Sequence, residues 1–372
     1  MAFKNPEHDI VKITEDEARM KSILVLGGTG AMGRHLVNLL VQDGYSVCVT
    51  TRSSRTSFGH IEYIQGDAMD DDFLDPILLR KWHVIVDFMI YSTSFFKKRA
   101  PKLLAATDQY IFLSSARVYD VSSEPIQEFS PRLLESSKDS RFLATDEYSL
   151  AKARQEDILR QSNHQNWTIV RPYITYSEQR LQLGTLEKEA WLYRALKGRT
   201  IVFSKDIATK LTTLTYGRDV AAAMASLIGN SRALADTYHI TQSQAATWQE
   251  VLDVYLDVLE RHLGHRPKVF LLDLEDFLRC KVSIYQIRYD RLFHRTFNNS
   301  KISDFCDVKA FEPLEQGLAH ALNEFLKNPQ FGAIDWRSEA IKDRFSREIA
   351  SLVEISSWKS RFQYIIYRFI KS

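Results

Sequence analysis

The stretch ILVLGGTGAMG at 23–33 decides which fold this chain is expected to adopt. It starts with a continuous apolar run, which predicts a buried β-strand. Glycines follow at once, and Leu36, Val37 and Leu40 then recur at the spacing of one helix face. A glycine-rich turn between a strand and a helix lets backbone N–H groups approach a pyrophosphate, whereas a plain strand–turn–helix connection needs no ligand. The context favours dinucleotide binding, and the predicted cofactor-binding residues of this turn are Gly27, Thr29, Gly30, Ala31, Met32 and Gly33.

Short apolar runs alternate with amphipathic stretches along the first half of the chain. Alternating strands and helices require parallel strand pairing with crossover connections. The fold class is therefore predicted as α/β, a Rossmann doubly wound parallel sheet with a smaller C-terminal substrate-binding lobe. Strands are predicted at 23–26, 47–49, 61–64, 84–86, 110–113 and 167–170, and helices at 73–79 and 95–104.

The domain organisation is predicted from the point near Pro172 where this alternation becomes irregular. Beyond it helical pieces dominate, with short strand-like pieces between them. The predicted divisions are a charged leader at 1–21, an NADP-binding Rossmann domain at 22–172, a discontinuous substrate-binding lobe at 173–332 with segments that return to the Rossmann domain, and a helical tail at 333–372.

The composition is that of an ordinary globular protein, and it argues against several classes of function. Lys and Arg number 49 against 47 Asp and Glu, so the net charge is +2 and no nucleic-acid partner is expected. Cys48, Cys280 and Cys306 are far apart, and the histidines show no ligand spacing, so neither disulfides nor a metal site are expected. The segment 1–21 lacks an apolar run, so no signal peptide is expected and a cytoplasmic location is favoured.

The residues after the second predicted strand indicate which dinucleotide is bound. The segment TTRSSR at 50–55 offers no carboxylate to a ribose 2′-hydroxyl. Arg52 is suited to stack on adenine and to pair with a 2′-phosphate, and Ser53 to donate to it, although a solvated loop arginine would look the same. NADP(H) is therefore the preferred cofactor, with NAD as the alternative. Asp67, after the third strand, is expected either to bind the adenine amine or to cap the following helix.

A catalytic group is predicted from Ser115, Tyr148 and Lys152. Tyr148 and Lys152 are spaced i, i+4, which places them on one face of a helix. A tyrosine has an ordinary pKa of about 10. An ammonium group one turn away favours the phenolate and can also hold a nicotinamide ribose. Ser115 follows the strand at 110–113, and the ends of parallel strands are where α/β sheets bind ligands. Ser115 is expected to hydrogen-bond the substrate oxygen while Tyr148 transfers a proton.

These motifs resemble those of the extended short-chain dehydrogenases/reductases, the family of UDP-galactose 4-epimerase and many nucleotide-sugar reductases. The resemblance implies that Ser115, Tyr148 and Lys152 are catalytic. It also implies that the motif Arg171-Pro172-Tyr173 lies beside the nicotinamide and marks the entrance of the sugar lobe. It also implies a nucleotide-sugar substrate, hydride exchange with the nicotinamide, and a homodimer. The matching segments are GGTGAMG (27–33), GD (66–67), FLSSARVY (112–119), YSLAK (148–152), IVRPYITYS (169–177) and LTYGRDVA (214–221).

Departures from the family pattern narrow the expected reaction. In the family's dehydratases an Asp-Glu pair follows the catalytic serine or threonine, whereas Ala116 and Arg117 follow it here, which argues against dehydration. Asp87 and bulky residues replace the small residues usual after strand four, and the role of Asp87 stays open. An arginine that binds substrate phosphate in the family is missing, so Lys210 is expected to replace it, or else Arg288 or Arg291. The predicted substrate-binding residues are Ser115, Arg117, Tyr148, Tyr173, Lys210 and Arg291.

Three functions remain at this point. An NADPH-dependent 4-keto-sugar reductase is preferred, because an arginine after the second strand suits an exchangeable NADPH. A nucleotide-sugar 4-epimerase with tightly bound NAD is the first alternative. A non-catalytic, cofactor-sensing binding protein is the second, since a fold does not fix a function.

The C-terminal tail carries a separate prediction. The segment 358–371 places Trp358, Phe362 and Phe369 at helical spacing among basic residues and contains no acid. One hypothesis is a weak contact with an anionic membrane surface. The alternative, which is favoured from sequence, is a helix docked on its own protein or on a partner subunit.

Overall fold

The computed structural model describes residues 22–280 and 282–370. The leader predicted at 1–21, and the last two residues of the predicted tail, lie outside the described residues. The strands are β1 (Ser22–Leu26), β2 (Ser46–Thr51), β3 (Ile61–Gln65), β4 (Trp82–Asp87), β5 (Thr107–Leu113), β6 (Trp167–Pro172), β7 (Ile174–Tyr176), β8 (Gln182–Leu183), β9 (Leu186–Glu187), β10 (Ile201–Ser204), β11 (Leu211–Thr212), β12 (Leu214–Tyr216), β13 (Asp236–Ile240), β14 (Ala246–Thr247) and β15 (Val269–Leu272).

The helices connect these strands and dominate the second half of the chain. Single helical turns lie at Ala116–Val118, Ser231–Ala233, Ile287–Arg291, Val308–Ala310, Leu352–Glu354 and Ile366–Ile370. The α-helices are α1 (Gly33–Gln42), α2 (Asp71–Leu78), α3 (Thr93–Ala105), α4 (Leu133–Ser136), α5 (Ser140–Leu143), α6 (Tyr148–Arg160), α7 (Lys188–Leu196), α8 (Lys205–Ala208), α9 (Gly217–Leu227), α10 (Trp248–Leu263), α11 (Leu274–Arg279), α12 (Ile284–Gln286), α13 (Ser300–Ser303), α14 (Leu314–Lys327), α15 (Trp336–Ser346) and α16 (Trp358–Ile365).

A seven-stranded sheet forms the centre of the molecule, in the order β13-β6-β5-β4-β1-β2-β3. Every neighbouring pair is parallel. The β1 strand is completely buried from Ile23 to Leu26, because helices cover both faces of the sheet. This topology confirms the predicted α/β class and the Rossmann doubly wound sheet.

The chain reverses its direction of travel across the sheet between β1 and β4. It moves outward from β1 to β2 and β3, and then returns to the other side of β1 to add β4, β5 and β6. At such a switch point the connections that follow the two neighbouring strands run to opposite sides of the sheet, which leaves a crevice at the carboxyl ends of the strands. The glycine turn after β1 and the polar residues after β5 therefore face one space.

Segments beyond Pro172 divide between a second core and the central sheet. The second core contains α7, α10 and α14, with Trp191 and Trp248 buried in it. In contrast, α9 packs on α1, and β13 pairs with β6 at the edge of the sheet.

The tail docks on the second core through buried ion pairs. Arg194 of α7 is fully buried and donates to Glu339 at 2.9 Å and to Asp343 at 2.7 Å. Tyr364 of α16 donates its hydroxyl to the same Asp343. Within residues 22–280 and 282–370, no helix combines the length and hydropathy needed to cross a membrane, and no cluster of three His, Cys, Asp or Glu could hold a metal ion.

Candidate active site

A cavity of about 410 Å³ lies at the carboxyl ends of β1, β4, β5 and β6. It opens where these strands end, with Gly27 after β1, Phe88 after β4 and Ser114 after β5. Most of the residues predicted from sequence share this one space. Those that line it are Gly27, Gly30, Ala31, Met32, Gly33, Ser115, Arg117, Tyr148, Lys152, Pro172, Tyr173 and Arg291.

The glycine turn is shaped by two positions that cannot carry a side chain without strain. Gly27 has a φ of +70°, in the left-handed region that favours glycine. A Cβ on Gly33 would lie 2.6 Å from the backbone of Gly28, so the first turn of α1 packs directly against the glycine turn. The N-terminus of α1 therefore lies directly against the glycine turn, and a helix N-terminus is a favourable site for a pyrophosphate.

Ser115 and its neighbour Ser114 have different hydrogen-bonding roles. Ser114 donates its hydroxyl to the buried carboxylate of Glu156 at 2.6 Å. Ser115 has extended backbone, and its Oγ accepts the Arg117 backbone N–H at 3.2 Å at the start of a 3₁₀ turn. Ser115 can therefore still donate its own proton toward the cavity.

Tyr148 and Lys152 lie one turn apart in α6, as their spacing predicts. Tyr148 begins the helix, which Glu147 caps by accepting the Ser149 N–H at 2.8 Å. The Nζ atom of Lys152 donates to the Leu113 carbonyl at 2.7 Å and lies 6.0 Å from the centre of the Tyr148 ring. Lys152 thus joins α6 to the end of β5, with its ammonium group close to the ring of Tyr148.

Burial has opposite effects on the two titrating groups. It raises the pKa of Tyr148, and the charge of Arg117 and a hydrogen bond with Ser115 oppose that rise. Burial lowers the pKa of Lys152 to about 8, against the attraction of the Asp87 and Glu156 carboxylates. Sequence reasoning assigned the cationic effect on Tyr148 to Lys152, whereas Arg117 is the leading cation in this structure.

Arg117 is held against Tyr148 by a second contact of its own. Its Nη2 donates to Glu147 at 2.7 Å, and its guanidinium carbon lies 5.3 Å from the centre of the Tyr148 ring. Its Nε is buried and has no hydrogen-bond partner among the described residues. One face of the tyrosine is therefore next to a fixed positive charge with a free donor.

Asp87, whose role the sequence leaves open, fixes a wall of the cavity. Its buried carboxylate accepts the hydroxyls of Tyr110 at 2.7 Å and Tyr91 at 3.0 Å, and the Met89 N–H at 2.8 Å. Burial raises the pKa of Asp87 above its ordinary value, and these donors offset only part of that rise. The bonds set the path of the chain at Phe88 and beyond, where it lines the cavity.

The residues predicted to contact the adenosine half of the cofactor lie outside this cavity. Arg52 and Ser53 are exposed, and Thr51 Oγ1 accepts the Ser53 N–H at 3.3 Å. Asp67 is exposed and accepts the Met69 N–H at 2.9 Å. The cap of α2 is Asp70, so the alternative that Asp67 caps this helix is wrong.

A smaller cavity of about 180 Å³ next to the glycine turn contains two arginines that sequence reasoning passed over. Arg34 belongs to the first turn of α1, and Arg55 lies in the loop after β2 with its guanidinium 5.8 Å from the centre of the Tyr63 ring. Arg55 stood in the quoted loop, but nothing in a linear sequence separates it from Arg52. The lining residues are Gly28, Thr29, Arg34, Val37, Asn38, Arg55 and Tyr63.

Two of the cations predicted to bind substrate phosphate, Arg291 and Lys210, have different surroundings. Arg291 lines the main cavity but is buried, donating to the Gly184 carbonyl at 3.0 Å and to Tyr173 Oη at 3.0 Å, and pairing with Asp290. Lys210 does not line the cavity. It lies in the turn between α8 and β11, where its carbonyl accepts the Trp248 N–H.

Sequence reasoning also missed polar residues that the segments beyond Pro172 bring to the cavity. Arg180 lies after β7, and Gln182 and Glu187 lie on the β8–β9 hairpin, where Gln182 donates to Glu187 at 2.6 Å. Gln286 approaches from α12. Strands of two residues leave no periodic signal, so no pattern predicts these positions.

Comparison with known proteins identifies the class of the first half of the chain. Residues 27–201 match the family model described as NAD(P)H-binding. The matched segment includes the glycine turn, Ser115, Tyr148 and Lys152. This part of the chain is thus similar to NAD(P)H-binding domains, and its fold is Rossmann-like.

Solved structures extend the similarity in fold to most of the chain. UDP-glucose 4-epimerase from Bifidobacterium longum, in complex with NAD⁺ and UDP, is 19% identical with a TM-score of 0.61, over 83% of this chain and 99% of that one. UDP-glucuronic acid 4-epimerase from Bacillus cereus, in complex with NAD, is 15% identical with a TM-score of 0.61, over 83% of this chain and all of that one. The fold is that of the NAD-dependent nucleotide-sugar epimerases and dehydratases.

A further similarity is to a protein that is named for binding stem-loops and not for an enzymatic activity. The chloroplast stem-loop binding protein of 41 kDa b from Arabidopsis thaliana is 26% identical, in a match that covers 61% of this chain. The match spans 60% of the length of that relative.

Proposed function

We propose that this chain is an NADP(H)-dependent oxidoreductase of a nucleotide-activated sugar, and that it reduces a 4-keto sugar. The observation that carries the proposal is the meeting of Ser115, Tyr148 and Lys152 with the glycine turn in one cavity of about 410 Å³. Cavities of a few hundred Å³ with a few converging polar groups are typical small-molecule sites.

The residues present fit a dinucleotide with its nicotinamide toward Tyr148. The close approach of Gly33 to Gly28 brings the N-terminus of α1 next to the glycine turn, where a pyrophosphate would bind. Pro172 and Lys152 line the same cavity. A bound NADPH supplies the hydride that such a reduction needs. Tyr148 holds the proton that the substrate oxygen accepts, Ser115 donates a hydrogen bond to that oxygen, and Lys152 is placed to hold the nicotinamide ribose.

The protonated form of Tyr148 is the form that the reductive direction uses. Burial raises the pKa of Tyr148, so the phenol keeps its proton at neutral pH. A protonated phenol is the form that donates to a carbonyl oxygen. A dehydratase would also need acid and base groups after Ser115, where Ala116 is buried and Arg117 is paired with Glu147.

Two observations support the choice of cofactor and substrate. Arg34 and Arg55 line the 180 Å³ cavity beside the glycine turn, and a pair of guanidinium groups suits a 2′-phosphate. The similar folds in complex with UDP and with UDP-glucuronic acid support a nucleotide sugar in the space between the sheet and Gln286.

An assay of the purified protein with NADPH and a panel of nucleotide 4-keto-6-deoxysugars tests this proposal. Loss of NADPH absorbance with formation of the 4-hydroxy sugar is the expected result. A panel that includes 4-keto uronates as well as deoxysugars covers both kinds of substituent at carbon 5. No oxidation of NADPH by any member would reject the reductase.

A 4-epimerase is the second candidate, since the similar solved epimerases hold NAD. An epimerase regenerates its NAD in each turnover and need not exchange it. Release of NAD from the denatured pure protein in equimolar amount, together with interconversion of UDP-sugar epimers, would favour it over the reductase.

Stem-loop RNA binding is a third candidate, favoured by the name of the relative from Arabidopsis thaliana. The net charge of +2 gives little general attraction for phosphate backbones. A gel-shift titration with stem-loop RNA, in the presence and absence of NADPH, separates this candidate from the enzymes. Tight binding that survives Tyr148→Phe would favour a non-catalytic, cofactor-sensing protein.

A further inference from the structure

The helix α16 and the turn that continues it expose one apolar stripe to solvent. The stripe consists of Trp358, Phe362, Ile365 and Phe369, whose exposed fractions are 80%, 62%, 38% and 58%. Their spacing of four, three and four residues places them on a single helix face. Large aromatic side chains at such exposure on one face are unusual for a surface that only meets water.

The opposite face of the same helix already has its partner. Tyr364 is fully buried against Trp336, and its hydroxyl accepts the Ala350 N–H at 2.7 Å. Tyr367 packs beneath the guanidinium of Arg337 at 4.1 Å. The docking of α16 on its own protein, favoured from sequence, therefore does not cover the stripe. The anchored helix instead presents the stripe outward at a fixed place.

The charge around the stripe has one sign. The segment 355–370 contains three basic residues, Lys359, Arg361 and Arg368, and no Asp or Glu. Lys359 and Arg361 are exposed on either side of Trp358 and Phe362. The nearest preceding acids point inward, because Glu348 accepts from Thr200 and Glu354 accepts from Tyr193 at 3.1 Å.

We propose that this stripe seats the protein on an anionic membrane surface. An amphipathic helix with aromatic residues on one face and lysine and arginine beside them lies in the plane of a lipid interface. Acidic headgroups would neutralise Lys359 and Arg361 while Trp358 and Phe362 enter the boundary of the acyl chains. A second copy of this chain fits less well, since a symmetric contact would bring two sets of like charges together.

Vesicle co-sedimentation of the full chain tests the proposal. We expect the protein to pellet with vesicles of phosphatidylcholine mixed with phosphatidylserine, to remain in solution with phosphatidylcholine alone, and to dissociate in high salt. The double variant Trp358→Ser/Phe362→Ser is expected to partition at least about tenfold more weakly, because two buried aromatic contacts are lost.

The control is Phe129→Ser, which removes an aromatic of 82% exposure outside the tail. It should pellet like the unaltered protein. Near-UV circular dichroism and the thermal transition show whether the double variant keeps its packing. Equal sedimentation of the double variant and the control would overturn the proposal. A second result would also overturn it. If neither the unaltered protein nor the double variant pelleted, and size-exclusion chromatography showed a dimer that only the double variant loses, the stripe would be a contact between copies of this chain.

Discussion

Tyr148 sits between two cations that affect it differently. Arg117 lies against its ring and is fixed by Glu147, whereas Lys152 donates to the Leu113 carbonyl and has a pKa of about 8. Lys152 therefore loses part of its charge just above neutral pH, while Arg117 keeps its own. The arrangement leaves a protonated phenol at the cavity and a lysine whose positive charge decreases as the pH rises past about 8.

Sequence could predict that the three proposed catalytic residues share one cavity, because each belongs to a short local motif. Ser115 follows a strand, and Tyr148 and Lys152 share a helix face, so spacing alone brings them near the glycine turn. The adenosine side could not be predicted as well. Arg52 and Arg55 occupy one irregular loop, and only the backbone path shows that Arg55 lines the cavity with Arg34.

The first prediction separates these arginines. We expect Arg55→Ala to weaken NADPH binding by about tenfold to a hundredfold and to leave NADH binding nearly unchanged, because one charge-assisted contact to the 2′-phosphate is lost. Fluorescence titration of both cofactors measures the effect.

The control is Arg52→Ala, which removes the exposed arginine that sequence reasoning preferred. It should change neither affinity by more than about twofold. If Arg52→Ala weakened NADPH binding and Arg55→Ala did not, the assignment would return to Arg52.

At the scale of elements, a buried ion pair joins α6 to β6. It holds the helix that carries Tyr148 and Lys152 against the sheet. Arg171 donates to the Glu156 carboxylate at 2.7 Å and 2.5 Å, and both side chains are almost completely buried. Burial raises the pKa of Glu156, but the charge and hydrogen bonds of Arg171 outweigh it and lower the pKa to about 2. Glu156 lies one turn beyond Lys152, so the position of the lysine depends on this pair.

The second prediction concerns the stability of this junction. Glu156→Gln is expected to lower the free energy of unfolding by about 3–5 kcal/mol at neutral pH, because it leaves the Arg171 guanidinium buried without a counter-charge. The pKa of Glu156 is lower in the folded chain than its ordinary 4.5, so the pair stabilises the fold above that pH and its contribution is lost as the pH falls toward 2. Urea denaturation at neutral and acidic pH measures both effects.

The matched control for this variant is Glu135→Gln. Glu135 pairs with Arg132, and its side chain is 52% exposed, so its loss should cost less than about 1 kcal/mol. Equal destabilisation by the two substitutions would show that the Glu156 pair is no stronger than a surface contact. A Glu156→Gln penalty that stayed constant down to acidic pH would contradict the assigned titration.

At the scale of the whole molecule, the sheet could be predicted and the surroundings of the cavity could not. Alternating apolar runs and helices predict parallel pairing, whereas the order of the strands across the sheet is seen only in the structure. The wall formed by Arg180, Gln182 and Gln286 comes from a hairpin and a single helical turn, which carry no periodic pattern. The docking of the tail depends on Arg194 and Asp343, which are 149 positions apart in the chain, and no local rule joins them.

We propose that the fold positions the phenol of Tyr148 against the substrate oxygen, beside a bound nicotinamide. Single-turnover oxidation of bound NADPH by the active nucleotide 4-keto sugar, compared between the unaltered protein and Tyr148→Phe, tests it most directly. We expect Tyr148→Phe to bind NADPH within about twofold of the unaltered protein and to transfer hydride at least about a hundredfold more slowly. Hydride transfer at an unchanged rate in Tyr148→Phe would contradict it.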